Sequence, residues 1–417
     1  MVVRDIVITQ RRELEHRRRE PYVARLVTLP RGRDELIRVI LGPRRAGKSF
    51  LGMHMAGGPP ATGYLNFDDE RLIDLQDYDE LIAAVDSVYD RPDTILLDEI
   101  QNLPRWELFV NRLQRQGYRL ILTGSNAHLL GGELATHLTG RHLPIVLFPF
   151  SFAEVLSTRR EGLTQLERTQ ALLRYAEEGG MPEPLLHDID RAGYLRTLWD
   201  SILFKDIVRR HRIRSPEGID ELAGYLLSNV AREYSLNRLT GVSRCRSVQT
   251  VQKYVSHLEE AFLFFSLRRF SYKFRERSKA NRKIYCIDNG FVTARGFLSS
   301  EDAGRLLENL VAISLRRRQM QGECEVYFWK DRQQEEVDFV VKEGRKVTQL
   351  IQVCREMTAP STRYREVRSL LKASEALSCD DLLVLTADRE TEASVEWFNT
   401  RRTVRLQPIH RWLGPDA

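Results

Sequence analysis

Short apolar runs recur along the first 150 residues, each closed by glycine or polar positions. Ile37 to Leu41 is rich in β-branched residues and reads as a buried strand. Tyr64 to Asp69 reads as a second strand ending in acids, and Thr94 to Glu99 repeats that layout. Leu120 to Asn126 ends in small polar residues, and Ile145 to Phe148 gives the last strand of this part. Helical patterns over 79–89 and 106–115 separate them, so the prediction is α/β with a parallel sheet. Residues 1–36 are predicted to be a charged helix lying against this core, with Tyr22, Val23, Leu26 and Val27 as its packing stripe.

Beyond residue 150 the period changes. Residues 151–214 are predicted mostly helical, with Leu195, Leu198, Trp199, Ile202, Leu203 and Ile207 at helical spacing. Helices over 222–230, 236–240 and 247–262 and a strand at 264–267 follow, the order of a winged helix-turn-helix. Its third helix carries Ser247, Gln249, Thr250, Gln252 and Lys253, residue types that meet base edges and phosphates. Lys273, Arg275, Arg277, Lys279, Arg282 and Lys283 are expected on or beside the wing. The alternative is a winged helix used only for packing or protein contact. A helix over 306–315 and strands at 326–329, 336–341, 348–354 and 382–386 predict a further α/β region, completed by residues 397–412.

Length and charge narrow the picture. A chain of 417 residues exceeds one ordinary core, and two or three domains are expected. No apolar run reaches the roughly 18 residues of a membrane helix, and Met1 to Asp5 shows no signal core. Cys245, Cys286, Cys324, Cys354 and Cys379 lack paired spacing and read as reduced thiols of a cytoplasmic protein. The net charge of +6 is unevenly spread, with clusters at Arg11-Arg12, 17–19, 209–212, Arg268-Arg269, 273–283 and 316–318. A polyanion such as double-stranded DNA fits them, and solvated helix faces fit equally well.

The candidate chemistry sits at the ends of the predicted strands. Gly42-Pro43-Arg44-Arg45-Ala46-Gly47-Lys48-Ser49 fills the pattern G-x-x-x-x-G-K-[ST], whose backbone N–H groups cradle phosphates. The helix starting near Lys48, with Phe50 in its first turn, points its dipole at the same phosphates. Lys48 is expected on the β- and γ-phosphates of ATP, and the Ser49 hydroxyl on Mg²⁺. Asp98 is expected to hold Mg²⁺, and Glu99, near but off the metal, to polarise the attacking water. Asn126 or Ser125 is placed to sense the γ-phosphate, the alternative being a helix cap. Arg141 is a candidate cation for the transferring phosphate, within the chain or across a subunit boundary, or else a plain surface arginine.

The residues Gly42 to Ser49, Leu97-Asp-Glu-Ile-Gln101, Leu122-Thr-Gly-Ser-Asn126, Leu138-Thr-Gly-Arg141 and Phe148 to Glu154 together resemble a prokaryotic family. Gly179 to Pro182 and Phe204 to Ile207 extend the likeness over most of the chain. These are AAA-type ATPases whose core is followed by a C-terminal domain of unknown function. The resemblance implies ATP binding and hydrolysis without a firm biological role. It implies a P-loop NTPase core with its leading helix over 1–150 and a helical lid over 151–214. A winged helix over 215–290 and a nuclease-like α/β domain over 291–417 complete the expected fold.

The last region resembles the core of PD-(D/E)xK nucleases, with Glu308 on a helix and Asp338 on a strand. In those enzymes the next strand carries Glu-x-Lys for metal binding and water activation. Here the tripeptide is Gln352-Val353-Cys354, so the fold is expected and cleavage is expected to be lost. The leading expectation is an Mg²⁺-dependent ATPase, as a possible homo-oligomer, that couples hydrolysis to DNA or a protein partner. The alternatives are a nucleotide switch with little turnover and a residual nuclease.

Overall fold

The computed structural model describes residues 3–29, 36–57, 61–72, 75, 77–127, 138, 140–159, 162–245, 247–297, 302–355, 360–397 and 400–414. Its chain forms two compact units, Met1–Pro149 and Phe150–Ala417.

In the first unit β1 (Ile37–Leu41), β2 (Thr62–Asn66), β3 (Thr94–Asp98), β4 (Arg119–Gly124) and β5 (His142–Val146) make one sheet. Its order is β2-β3-β4-β1-β5, and every pairing is parallel. Ile95, Leu96 and Leu97 are all buried although successive side chains face opposite sides, so both faces of the sheet are covered. The covering helices include α2 (Lys48–Ala56), α3 (Tyr78–Tyr89) and α4 (Trp106–Arg115). Parallel order puts the carboxyl ends of β1, β3 and β4 along one edge, with β4 between the other two.

The leading helix is shorter than expected. α1 spans Val3–Arg17 and buries Val3, Ile6, Val7, Gln10 and Leu14, a three-to-four spacing that packs on α3 and β2. Pro21, which disfavours helix in the residue before it, stops the helix from continuing. Residues 21–29 lack regular structure and Leu26 is exposed, so the expected stripe at 22–27 is not a helix face. The rest of that stretch, 30–35, lies outside the described residues. Gln10 does what a neighbouring strand would do for edge strand β2: its amide accepts from Asn66 N–H at 3.0 Å and donates to Asn66 C=O at 3.1 Å.

The second unit opens with helices α5 (Phe152–Ser157), α6 (Gln165–Glu178), α7 (Pro182–Leu186) and α8 (Arg191–Ser201). Ser151 and Thr164 close capping boxes with Glu154 and Glu167. α8 runs into a π-helix over Ile202–Arg209, a wider turn inside the stretch from Leu195 to Ile207 whose apolar residues fall at helical spacing. Then come α9 (Pro216–Ser228), β6 (Glu233–Tyr234), α10 (Leu236–Val242), α11 (Val248–Glu260), β7 (Phe264–Arg268), α12 (Phe274–Lys279) and β8 (Arg282–Cys286). The three strands pair as β6-β8-β7, all antiparallel.

After α13 (Asn289–Arg295) and α14 (Ala303–Met320), six strands form a mixed sheet ordered β13-β14-β12-β11-β10-β9. They are β9 (Glu325–Lys330), β10 (Glu336–Glu343), β11 (Lys346–Val353), β12 (Leu382–Thr386), β13 (Thr391–Trp397) and β14 (Thr400–Pro408). α14 packs on β9 and β11, α15 (Pro360–Leu377) packs on β10 and β11, and α16 (Ile409–Trp412) closes the chain.

The basic stretch 273–283 is not one exposed wing. Most of it is α12, while Lys283 is buried on β8 among carboxylates. Arg316 lies over the Phe265 ring, Arg317 is 3.8 Å from Glu154, and Arg318 pairs with Glu323. That cluster is therefore engaged inside its own unit.

Candidate nucleotide-binding site

The loop between β1 and α2 is shaped by its two glycines. A Cβ on Gly42 would lie 2.0 Å from the Leu147 carbonyl oxygen, because Leu147 N–H donates to Leu41 C=O at 2.7 Å just beyond β5. Gly42 is thus required by the neighbouring strand end, a reason the sequence motif does not display. Gly47 has φ +93° at the N-cap of α2, a left-handed conformation that glycine adopts at little cost. Lys48 is buried, its ammonium donating to Pro43 C=O at 3.0 Å. Arg25 spans the loop's base, donating from Nη1 to Ala46 C=O at 2.8 Å and from Nη2 to Phe148 C=O at 2.6 Å.

Asp98 ends β3 and is 2% exposed. Its Oδ1 accepts from Ser49 Oγ at 2.9 Å and from the Thr123 hydroxyl, and its Oδ2 accepts from Tyr64 O–H at 3.0 Å. Burial pushes its pKa up and the neighbouring Glu99 charge adds to that, against the pull of the three hydroxyls. Thr123 also accepts from Glu99 N–H at 3.0 Å, so one β4 side chain holds both acids. Glu99 itself sits at φ +50°, a conformation that non-glycine residues hold mainly where the surroundings impose it.

Burial alone would raise Glu99. Lys48, 3.7 Å away, together with the Gln101 amide and the Arg44 charge, holds it below the usual range. Ser125 Oγ donates to the same carboxylate at 3.2 Å. The result is one ionised carboxylate beside a second that is buried against neutral hydroxyls. The donor set fits a hard divalent cation, which takes oxygen ligands: a carboxylate and a hydroxyl oxygen 2.9 Å apart.

A family model for an AAA domain matches residues 34–156. Two domains of unknown function, DUF8612 and DUF4143, match 169–302 and 303–401. The chain is 32% identical over 400 residues to the "Uncharacterized protein MJ1544" of Methanocaldococcus jannaschii, covering 90% of this chain and 88% of that protein. The chain belongs to this AAA-type ATPase family. A protein of Haemophilus influenzae titled "Uncharacterized protein" is also 32% identical, over 72% of this chain and 78% of its own. A crystal structure of CDC6P from Pyrobaculum aerophilum is similar at 12% identity and TM-score 0.24, over 82% and 88% of the two chains, too weak a likeness to carry an argument.

In this AAA-type chain the sheet brings Gly42 to Ser49, Asp98, Glu99, Ser125 and Asn126 to the same carboxyl edge. Asn126 is half-buried two residues past β4. Phe50 is half-buried on α2, its carbonyl 2.9 Å from Nδ1 of His54, whose ring stacks on Tyr22. Arg141 is not brought in. Its C=O accepts from Ile37 N–H at the amino end of β1, one β5 length, about 16 Å, from the loop. Parallel pairing therefore rules out the within-chain reading of Arg141. Sequence reasoning missed Thr123 and Tyr64, whose roles depend on which strands are neighbours, and also Gln101, two residues from Glu99, and Arg25, which reaches the loop from an irregular segment. Thr123 in Leu122-Thr-Gly-Ser-Asn126 and Gln101 in Leu97-Asp-Glu-Ile-Gln101 lay within motifs already singled out, and Tyr64 opened a predicted strand.

In the second unit Glu308, on α14, and Asp338, on β10, do come together, and Gln352 on β11 adjoins Asp338. Lys283 stands between the two acids. His211, His257 and Glu260 form a further group, with ligand atoms within 4.8 Å and the two rings stacked at 3.6 Å. Among the described residues no helix is long and apolar enough to cross a membrane.

Proposed function

We propose that this protein binds Mg²⁺–ATP, hydrolyses it, and couples the nucleotide state to engagement of double-stranded DNA or a protein partner. The observation that carries the hydrolytic part is Glu99: ionised, beside the Ser49–Asp98 pair without being part of it, and 3.7 Å from Lys48. Lys48 exchanges the Pro43 carbonyl for the β- and γ-phosphates, and the backbone of 42–49 cradles them. Ser49 and Asp98 would hold Mg²⁺, which when bound draws charge from the phosphate oxygens. Glu99 orients the attacking water and accepts its proton. Ser125 positions Glu99, and Asn126 is the candidate γ-phosphate sensor. Arg141 reaches a phosphate only across a boundary between copies.

For DNA engagement, the order α9-β6-α10-α11-β7-β8 supports a winged helix over 215–290. Gln249, Gln252 and Lys253 are exposed on α11. Tyr272, Lys273, Phe274, Arg275 and Lys279 are exposed between β7 and β8, a mix of cations and ring faces suited to nucleic acid. The mixed sheet after 291 supports the nuclease-like reading of the last region.

The test is ATP affinity and turnover of the parent and Glu99→Gln, with and without double-stranded DNA. We expect turnover to fall by at least about 100-fold with affinity kept. Parental turnover in the variant refutes the role of Glu99. Turnover unchanged by DNA, with DNA affinity that depends on nucleotide, replaces coupling by a switch.

A further inference from the structure

Lys283 projects from β8, and its side chain is 3% exposed. Its ammonium lies 3.0 Å from Glu308 Oε1, 3.1 Å from Asp338 Oδ1 and 2.6 Å from Glu336 Oε1. Glu336 and Asp338 are two apart on β10 and so share a face, while Glu308 comes from α14. An ammonium has three N–H donors, and here each has a carboxylate. These are distances of charge-assisted hydrogen bonds.

The remaining positions around the cluster are also engaged. Asp338 Oδ2 accepts from Val353 N–H at 2.9 Å, and Glu336 Oε2 faces Lys330 at 3.3 Å. Tyr285 O–H donates to Glu308 Oε1 at 2.7 Å. Gln352 accepts from Asp338 N–H at 3.2 Å and donates to Glu366 at 2.6 Å. Burial, then the Asp338 charge, lifts Glu308 to about 7 against the pull of Lys283. For Lys283, burial is outweighed by Glu308, Tyr285, Asp338 and Glu336, which keep it charged.

Three convergent carboxylates are what a hard divalent cation takes, at about 2.0–2.2 Å from each oxygen. We propose that Lys283 stands in place of that cation: the cluster is a metal-free ion centre, filled by the chain's own ammonium, that fastens β8 to the C-terminal sheet. Mg²⁺ or Mn²⁺ can enter only by displacing a buried ammonium, so the centre does not hydrolyse phosphodiesters. Cys354, one residue past β11, carries no cation, and Lys283 supplies one from a segment that precedes the last matched domain.

The experiment is Mn²⁺ binding to the full chain without nucleotide, followed by electron paramagnetic resonance. The parent and Asp338→Asn are expected to bind Mn²⁺ alike. Lys283→Ala is expected to gain one site, at least about tenfold tighter, that Lys283→Ala/Asp338→Asn loses again. No gain in folded Lys283→Ala overturns the proposal. Should that variant not fold, the parent decides: Mn²⁺ binding, or Mn²⁺-dependent plasmid nicking, that Asp338→Asn abolishes overturns the proposal, and identical behaviour of the two supports it.

Discussion

Gly42→Ala separates two reasons for the first glycine of the loop. If glycine were there only to let backbone approach phosphate, alanine would weaken nucleotide binding and leave the fold intact. The structure gives a different cause. The added Cβ lies 2.0 Å from the Leu147 carbonyl oxygen and 3.1 Å from its carbon, both backbone atoms that cannot rotate away. Restoring ordinary contact needs a shift of about 1.4 Å, enough to break the Leu147 N–H to Leu41 C=O bond, now 2.7 Å. Leu41 and Leu147 are fully buried, so both groups stay unpaired, at about 1–3 kcal/mol each. The expected loss is therefore about 3 kcal/mol or more, a fall in Tm of roughly 6–12 °C for a unit of this size. Differential scanning calorimetry without nucleotide measures it. Gly57→Ala, where nothing lies within 4 Å but φ +81° and ψ −164° belong to a region almost confined to glycine, isolates backbone strain without a clash and should cost about 1–3 kcal/mol. An unchanged Tm for Gly42→Ala together with weakened ATP binding would refute the reasoning.

Other outcomes follow from the same geometry. Thr123→Val removes the hydroxyl that bonds both Asp98 and the Glu99 backbone, and should lower Mg²⁺-dependent turnover by about 10–100-fold with the fold kept. Equal turnover would mean that the two acids are held in place without it. Glu308, raised to about 7 in the fold from 4.5, binds its proton more tightly folded than unfolded. Its contribution to stability is therefore full at pH 4 and declines as pH rises to 7, by up to about 3 kcal/mol. Urea unfolding across that range should show the parent losing stability relative to Glu308→Gln, and parallel curves would contradict the burial argument.

The strand tips, the phosphate loop and the acid pair at 98–99 are legible along the chain, because each depends on residues adjacent in it. Ile37–Leu41, Thr94–Asp98 and their polar ends follow from local burial patterns and turn chemistry, whereas Thr62–Asn66 and His142–Val146 begin two and three residues before the expected strands. The order of the strands is not local. Only the tertiary structure put β4 between β1 and β3, which makes Thr123 the link between the acids, and aligned β5 so that Arg141 falls at the far end. The charged runs show the same division. Arginines and lysines read alike along a chain, yet Lys283 is buried against three carboxylates while Lys273 is exposed. Charge is written residue by residue. Its solvation and partners depend on which distant segments share a buried space, and that is settled only when the whole chain packs.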